Sequence, residues 1–361
     1  MRDAVICAAV RTPVGKRGGG LSGVHPVDLS AHVLSSLVER TGIDPAVVED
    51  VIWGCVSQVG EQTFNIARNA VLAAGWPEAV PGTTVDRQCG SSQQSVAFAA
   101  ATVISGQADV VVAGGVESMS RVPMGSASNP AAGAGRPMGP KFAERYNGVQ
   151  INQGVGAEMI AERWGFSRTQ LDEFSLGSHE KAAKAQADGA FEEEIAPFQA
   201  PEGLVSADEG IRPGGTLEKL ASLKTPFKEN GVISAGNASQ ISDGSAAVLV
   251  TTSEKARELE LTVLVALRGR RPDLVDEGVH VLRRGEPLRH ERAVGCGGHG
   301  DNQSGGKLVA GGHVTLGGPG RRSLKSRAPA HAAPRMCRRA RPQAQVPFCC
   351  SAASVTIGPA T

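Results

Sequence analysis

Apolar runs and amphipathic segments take turns along the first part of this chain. "DAVICAAVRTP" at 3–13 opens with an apolar run of strand length. "GVHPVDLSAHVLSSLVERTGI" then places Val27, Leu29, Val33, Leu34, Leu37 and Val38 on one helical face, with Gly42 as its stop. "VEDVIWGCVSQ" reads as a second buried strand and "NIARNAVLAAGWP" as a second helix that halts at Gly75 and Pro77. "GTTVDRQCGSSQQSVAFAAATVISG" passes from strand to helix, and "ADVVVAGGVESMS" is again a continuous buried run. Strands without polar alternation are covered on both faces. Their alternation with helices predicts a parallel sheet with helices on either side, joined by right-handed crossovers.

From Met119 the pattern changes to Gly, Pro, Ser and Met in "MSRVPMGSASNPAAGAGRPMGPKF", which predicts a loop. "GVGAEMIAERWGFSRTQLDEFSLGSHEKAAKAQADGAF" predicts a mostly helical insert, with Ser167 as N-cap and Gln170 completing a capping box. The chain returns to strand in "GVISAGNASQISDGSAAVLVTTS", where "SDGSAAVLVT" is the buried run, and "EKARELELT" begins another helix. Beyond residue 262 the alternation stops.

Composition adds a second division at the same place. The 361 residues carry a net charge of +1, but residues 1–261 hold 21 basic and 30 acidic residues, a net of −9, against 16 and 6, a net of +10, in residues 262–361. From Gln303 onward there are nine basic residues and no carboxylate, in Arg/Ala/Pro-biased sequence. No aromatic residues interleave these charges, and aromatic content is 4% overall, so nucleic acid is not an expected partner. No apolar run reaches membrane-spanning length and the chain does not open like a signal peptide, so the expected location is the cytoplasm, with no membrane partner.

Seven cysteines at irregular spacing do not form a secreted disulfide framework. The nearest approach to a metal site, Cys296 and His299 in "GCGGHGD", lacks the second pair of ligands a tetrahedral centre needs, so no metal is expected. Cys7 and Cys55 fall in apolar strands and are expected to be inert. Met119, Met124 and Met138 read as packing fillers ahead of an acyl-pocket lining. Gly114 and Gly115 lack the spacing of a phosphate loop and are expected to permit close backbone approach.

Cys89 stands where strand passes into helix. A helix N-terminus favours negative charge and can lower a thiol pKa from about 8.5 toward neutrality, which suits a nucleophile. Free cysteines are also commonly buried and unreactive, and from the local sequence alone both readings stand.

"RTPVGKRGGGLSG", "VDRQCGSSQQSV", "ADVVVAGGVESMSRVP" and "SAGNASQISDGSAA", in this order and at these separations, resemble the thiolase family, acyl-CoA acetyltransferases that make or cleave the C2–C3 bond of a 3-oxoacyl-CoA. The resemblance runs from about residue 3 to about residue 261. It implies a layered α/β fold with mostly parallel or mixed sheets, and Cys89 as the acyl-accepting thiolate. It also implies coenzyme A contacts at Arg212 of "EGIRPGGTLEKL" and Ser239 of "AGNAS". The implied organisation is an N-terminal α/β half at 1–118, a coenzyme A loop domain at 119–240, a return strand and helix start at 241–261, and an aberrant basic region at 262–361. No cofactor is implied beyond the coenzyme A thioester substrate, and the implied assembly is a homodimer or homotetramer.

Thiolase chemistry also draws on a second half, with Asn-Glu-Ala-Phe, Gly-His-Pro and Cys-x-Gly-Gly segments. Here the first string is absent. His313 lies in a Gly-rich stretch with Val314 where the family has proline, and Cys350 lacks the accompanying glycines. The break fits a change of reading frame near codon 262, leaving the C-terminal repeat incomplete or disordered. Reading the coding DNA in its other frames tests this: recovery of the missing segments supports it, and their absence from every frame rejects it. The alternative function is then a remnant that binds acyl-CoA or becomes acylated at Cys89 without turnover.

Overall fold

A computed structural model describes residues 2–128, 135, 137–149 and 152–267. The elements in order are β1 (Ala4–Arg11), β2 (Gly15–Lys16), α1 (Pro26–Thr41), β3 (Asp50–Gly54), α2 (Ile66–Ala73), β4 (Gly82–Val85), α3 (Ser91–Ser105) and β5 (Val110–Ser118). They continue as α4 (Pro140–Arg145), α5 (Gln153–Trp164), α6 (Arg168–Ala187), β6 (Phe198–Ala200), β7 (Gly203–Val205), α7 (Leu217–Ala221), β8 (Ser242–Thr251), α8 (Ser253–Glu258) and β9 (Val265–Leu267).

One sheet runs β4-β3-β5-β8-β1-β9, with β2 also pairing to β8. Pairing is parallel between β3 and both β4 and β5. It is antiparallel from β5 to β8, β8 to β1 and β1 to β9. The sheet is therefore mixed, not uniformly parallel. A strand buried on both faces reads the same in either direction, so its apolar run carries no record of polarity.

Successive residues of the strands feed two cores. Trp53, Val110, Val112, Val116, Ala247 and Leu249 join the core shared with α1 and α2. Ile52, Val111, Ala113, Val248 and Val250 join the one beneath α3. Period-2 alternation thus survives, but both phases are apolar because both faces are covered.

Helix α1 buries Leu29, Val33, Leu34 and Leu37, with Val27 and Val38 half-buried beside them. His25 caps its N-terminus, and Gly42 at φ 69° closes it in the left-handed conformation that glycine adopts without steric cost. Helix α3 buries a narrow stripe of Ser91, Ser95, Ala99 and Val103. It covers the second face of the sheet. Exposed apolar surface lies on its outer side, at Phe98 and Ile104.

The insert holds together differently. The capping box forms as expected, Ser167 accepting from the Gln170 N–H while the Gln170 side chain accepts from the Ser167 N–H. Yet α6 buries a single side chain, Asp172. Residues 195–205, including the β6–β7 hairpin that the apolar pattern does not reveal, pack back on α1: Ala196 and Ala200 enter its core, and His32 meets Phe198 edge to face. Strand β8 coincides with the "SDGSAAVLVT" run, while residues 232–241 before it are not strand. Pairing continues past residue 261 through β9. Cys296, His299, His313 and Cys350 lie outside the described residues.

Candidate active site

Strand β4 ends at Val85, and five residues reverse the chain into α3. Asp86 Oδ1 accepts from the Gln88 N–H at 2.6 Å. Gln88 then takes φ 48°, a left-handed conformation costing a non-glycine residue about 1–2 kcal/mol. Buried Ser91 holds it there: its hydroxyl accepts from the Arg87 N–H at 2.9 Å and donates to the Gln88 carbonyl at 2.6 Å. Gly90 is the N-cap of α3, so Cys89 stands one residue outside the helix, on the crest of this turn, with its side chain exposed.

Two glycines set the height of the turn above the sheet. A Cβ on Gly54 would lie 2.3 Å from the Ser92 nitrogen, and one on Gly115 2.1 Å from Ser92 Oγ. The first turn of α3 therefore rests directly on strand backbone, which is the close approach expected at Gly115. Gly114 meets the same constraint against the Ala246 carbonyl at 2.1 Å and the Trp53 ring. Ser95 donates to the Gly114 carbonyl at 2.8 Å and adds a polar tie through the same contact.

The other cysteines differ in kind. Cys7 and Cys55 are buried. Burial pushes the Cys7 thiol up to about 11. Burial, reinforced by the negative charges of Glu117 and Asp86, pushes Cys55 up further. Both stay protonated near neutral pH, and a protonated buried thiol is a poor nucleophile.

Helix α5 begins beside Cys89. Asn152 caps it by accepting from the Gly154 and Val155 N–H groups at 2.9 and 3.3 Å. The Gln153 amide Nε2 reaches Cys89 Sγ at 3.6 Å. One turn later, buried Glu158 accepts from the Val232 and Ile233 N–H groups at 2.8–3.0 Å. Asn237 in turn donates to buried Asp172 and to the Val232 carbonyl, each at 2.9 Å, and accepts from the Ser234 N–H at 2.9 Å. These bonds shape the segment that carries Ser239, which is exposed.

Gln240 then donates to the Gly210 carbonyl at 2.8 Å, bringing the Ser239 segment beside that of Arg212, which is also exposed. The Arg212 N–H donates to His179 Nδ1 at 3.3 Å. Burial, then the Arg212 charge, lower the His179 pKa from 6.5, so its ring nitrogen is available as an acceptor at pH 7. A cleft lined by Val14, Ser178, His179, Asp208, Ile211 and Gln240 opens here. The segments that carry Arg212 and Ser239 thus lie side by side, and the 232–240 segment is bonded to α5, whose first residue reaches Cys89.

Sequence reasoning missed Gln153 and Glu158. Gln153 is 64 residues from Cys89, and nothing in the local pattern around either residue reports the approach. Met124 and Met138 are 64% and 54% exposed, so they do not fill gaps in the core; Met119 is half-buried. Among the described residues no cluster of His, Cys, Asp and Glu could hold a metal ion. Among them, too, no helix is long and apolar enough to cross a membrane.

The family described as "Thiolase, N-terminal domain" matches residues 4–254. A steroid 3-ketoacyl-CoA thiolase, FadA6, of Mycobacterium tuberculosis is 48% identical over 266 residues, covering 72% of this chain and 64% of the relative. A beta-ketoadipyl-CoA thiolase of Escherichia coli is 41% identical, covering 77% of this chain and 74% of that protein. The crystal structure of the Bacillus anthracis acetyl-CoA acetyltransferase superposes with a TM-score of 0.65 at 38% identity, covering 74% of this chain and 69% of that one. The chain therefore spans just under two thirds of the length of the steroid thiolase. A mixed sheet with helices on both faces, an exposed cysteine on the turn into α3 and a family match over 4–254 agree, and the chain belongs to the thiolase family.

Proposed function

We propose that this protein is a thiolase-type acyltransferase acting on acyl-CoA and 3-oxoacyl-CoA thioesters through an acyl-thioester on Cys89. The observation that carries the reading is the exposed Cys89 thiol on a locked turn, in a chain that belongs to this family. Nucleophilic catalysis by cysteine needs an accessible sulfur held in fixed geometry, and the Ser91 bonds supply the fixing. Arg212 and Ser239 are proposed to contact coenzyme A, the planar guanidinium suiting phosphate or adenine. Supporting this is the adjacency of their segments, tied to α5 through Glu158 and Asn237. The relatives, which include thiolases and acetyl-CoA acyltransferases, support the substrate class.

The proposed assembly is a homodimer or homotetramer in the cytoplasm. The organisation proposed is an α/β half at 1–118, a coenzyme A loop domain at 119–240, the return at 241–261 and a divergent region from 262. A second reading, a remnant that at most binds acyl-CoA or is acylated at Cys89 without turnover, is favoured by one observation: residues 262–361 lack the Asn-Glu-Ala-Phe string. Incubation of the full chain with acetyl-CoA, followed by peptide mass analysis, is expected to find acetyl on Cys89. Cleavage of acetoacetyl-CoA in the presence of coenzyme A then separates the two readings. Turnover supports the transferase, acylation without turnover supports the remnant, and absence of acylation rejects the transferase and leaves only a remnant that binds acyl-CoA.

A further inference from the structure

We propose that the Gln153 side-chain amide is an oxyanion donor for acylation of Cys89, and so a catalytic residue of the acyl-transfer step. This inference rests on the acyltransferase reading and adds to it a residue from a different element.

The geometry is specific. Gln153 is the first residue of α5, and three features fix that helix end. Asn152 caps it, Gly154 lies so close beneath Phe227 that a Cβ there would sit 2.2 Å from the ring, and Glu158 anchors the next turn to the 232–233 backbone. From this platform the amide Nε2 reaches 3.6 Å from Cys89 Sγ. The oxygen of an acyl group attached to the sulfur lies two bonds from it, which brings it within reach of the roughly 2.7–3.1 Å separation that an oxyanion donor requires. An amide N–H aimed at the sulfur before reaction therefore meets the carbonyl oxygen as charge grows on it. Such a contact strengthens from ground state to transition state, which is the condition for accelerating the step.

Cys89 sulfur attacks the thioester carbon, a carbon–sulfur bond forms, and the carbonyl π pair moves to oxygen, where the Gln153 N–H donates to it. The oxyanion collapses, the bond to the coenzyme A sulfur breaks with its electron pair, and the proton originally on Cys89 ends on the departing thiol. No oxidant or further reactant is required.

The test compares two reactions of the same sulfur in the full-length protein: acetylation by acetyl-CoA and alkylation by iodoacetamide, both followed on the Cys89 peptide by mass spectrometry. Alkylation at a saturated carbon develops no oxyanion. Gln153→Met keeps the length and removes the donor; it is expected to slow acetylation about 10- to 100-fold, at or below the range for a dry oxyanion hole, while alkylation stays within about twofold. Gln153→Glu, which places negative charge against the oxyanion, is expected to lose more. Acetylation unchanged in Gln153→Met overturns the inference and leaves the acyltransferase reading standing. A parallel fall of both rates also overturns it, assigning Gln153 to packing alone. A wild-type Cys89 that alkylates but never acetylates overturns the acyltransferase reading itself, and this inference with it.

Discussion

The sheet body and the helical insert of this chain are stabilised by different physics. The body buries two apolar layers against one sheet, and its largest enclosed side chains are Trp53, Leu21, Leu29, Leu34 and Leu37. In the insert, α5 buries Gly154, Glu158 and Ala161, and α6 buries only Asp172. Carboxylates there replace hydrocarbon, and directional bonds to backbone amides replace close packing. Hydrophobic burial is non-directional and cooperative, whereas a few charge-assisted hydrogen bonds hold one segment and leave its surroundings free to adjust. The proposed nucleophile has the first kind of support beneath it, and the segment proposed to contact coenzyme A has the second.

The largest effect is expected where the body is cut. Trp53→Ala removes a fully buried ring and its bond to Ser30, and should cost about 3–5 kcal/mol, read as a lower urea midpoint for the whole unit. A loss confined to part of the sheet would break the picture of one cooperative body.

Glu158→Ala comes next. It strips the Val232 and Ile233 N–H groups of a charged acceptor, at about 1.5–3 kcal/mol for such bonds. The damage should stay local, appearing as faster hydrogen exchange at 232–237 and weaker acyl-CoA binding, with the global midpoint nearly unchanged. A global midpoint falling as far as in Trp53→Ala would abolish the distinction between the regions.

The smallest effect lies at the seam. Arg121, just after β5, makes a bidentate ion pair with Glu61 and donates to the Gly23 carbonyl at 3.2 Å. The hydrogen bond from Arg121 lowers the Glu61 pKa below 4.5. A depressed folded-state value means the stabilisation is present above about pH 4.5 and is lost as pH falls through the lower folded-state value. The pair is a third solvent-exposed, so the stake is under about 1 kcal/mol. Arg121→Gln should flatten the stability profile slightly below pH 4.5 and leave it unchanged in shape above. An unaltered acid limb in thermal melts would remove the seam from the ledger.

Much of the fold was legible where its determinants are local. The α1 face, the Gly42 stop, the Ser167–Gln170 box and the extent of β8 follow from spacing and caps, and each forms where the pattern places it. The polarity of β8 was not legible, since an all-apolar strand specifies burial and not direction. Nor was the β6–β7 hairpin, whose strands have three residues each, too few to establish a period. At the site, the strand-to-helix turn at Cys89 could be read directly, and the approach of Gln153 could not. Glu158 and Asp172 look in sequence like ordinary surface polar residues of a helical stretch, and Asn237 like a polar residue leading into a strand. Only folding reveals that Glu158 and Asp172 are enclosed and that all three are paired with a distant segment.

Strand β8 occupies the middle of the sheet between β5 and β1, yet it is made more than a hundred residues after β5. During synthesis, the earlier strands therefore wait with an inner edge unfilled until the whole insert has left the ribosome. Closing so long a detour costs only slightly more entropy than closing a shorter one, because the penalty grows with the logarithm of length, but it delays completion. Pulse-labelled hydrogen exchange should accordingly find β1, β5 and β8 gaining protection together, as the act of a single late arrival.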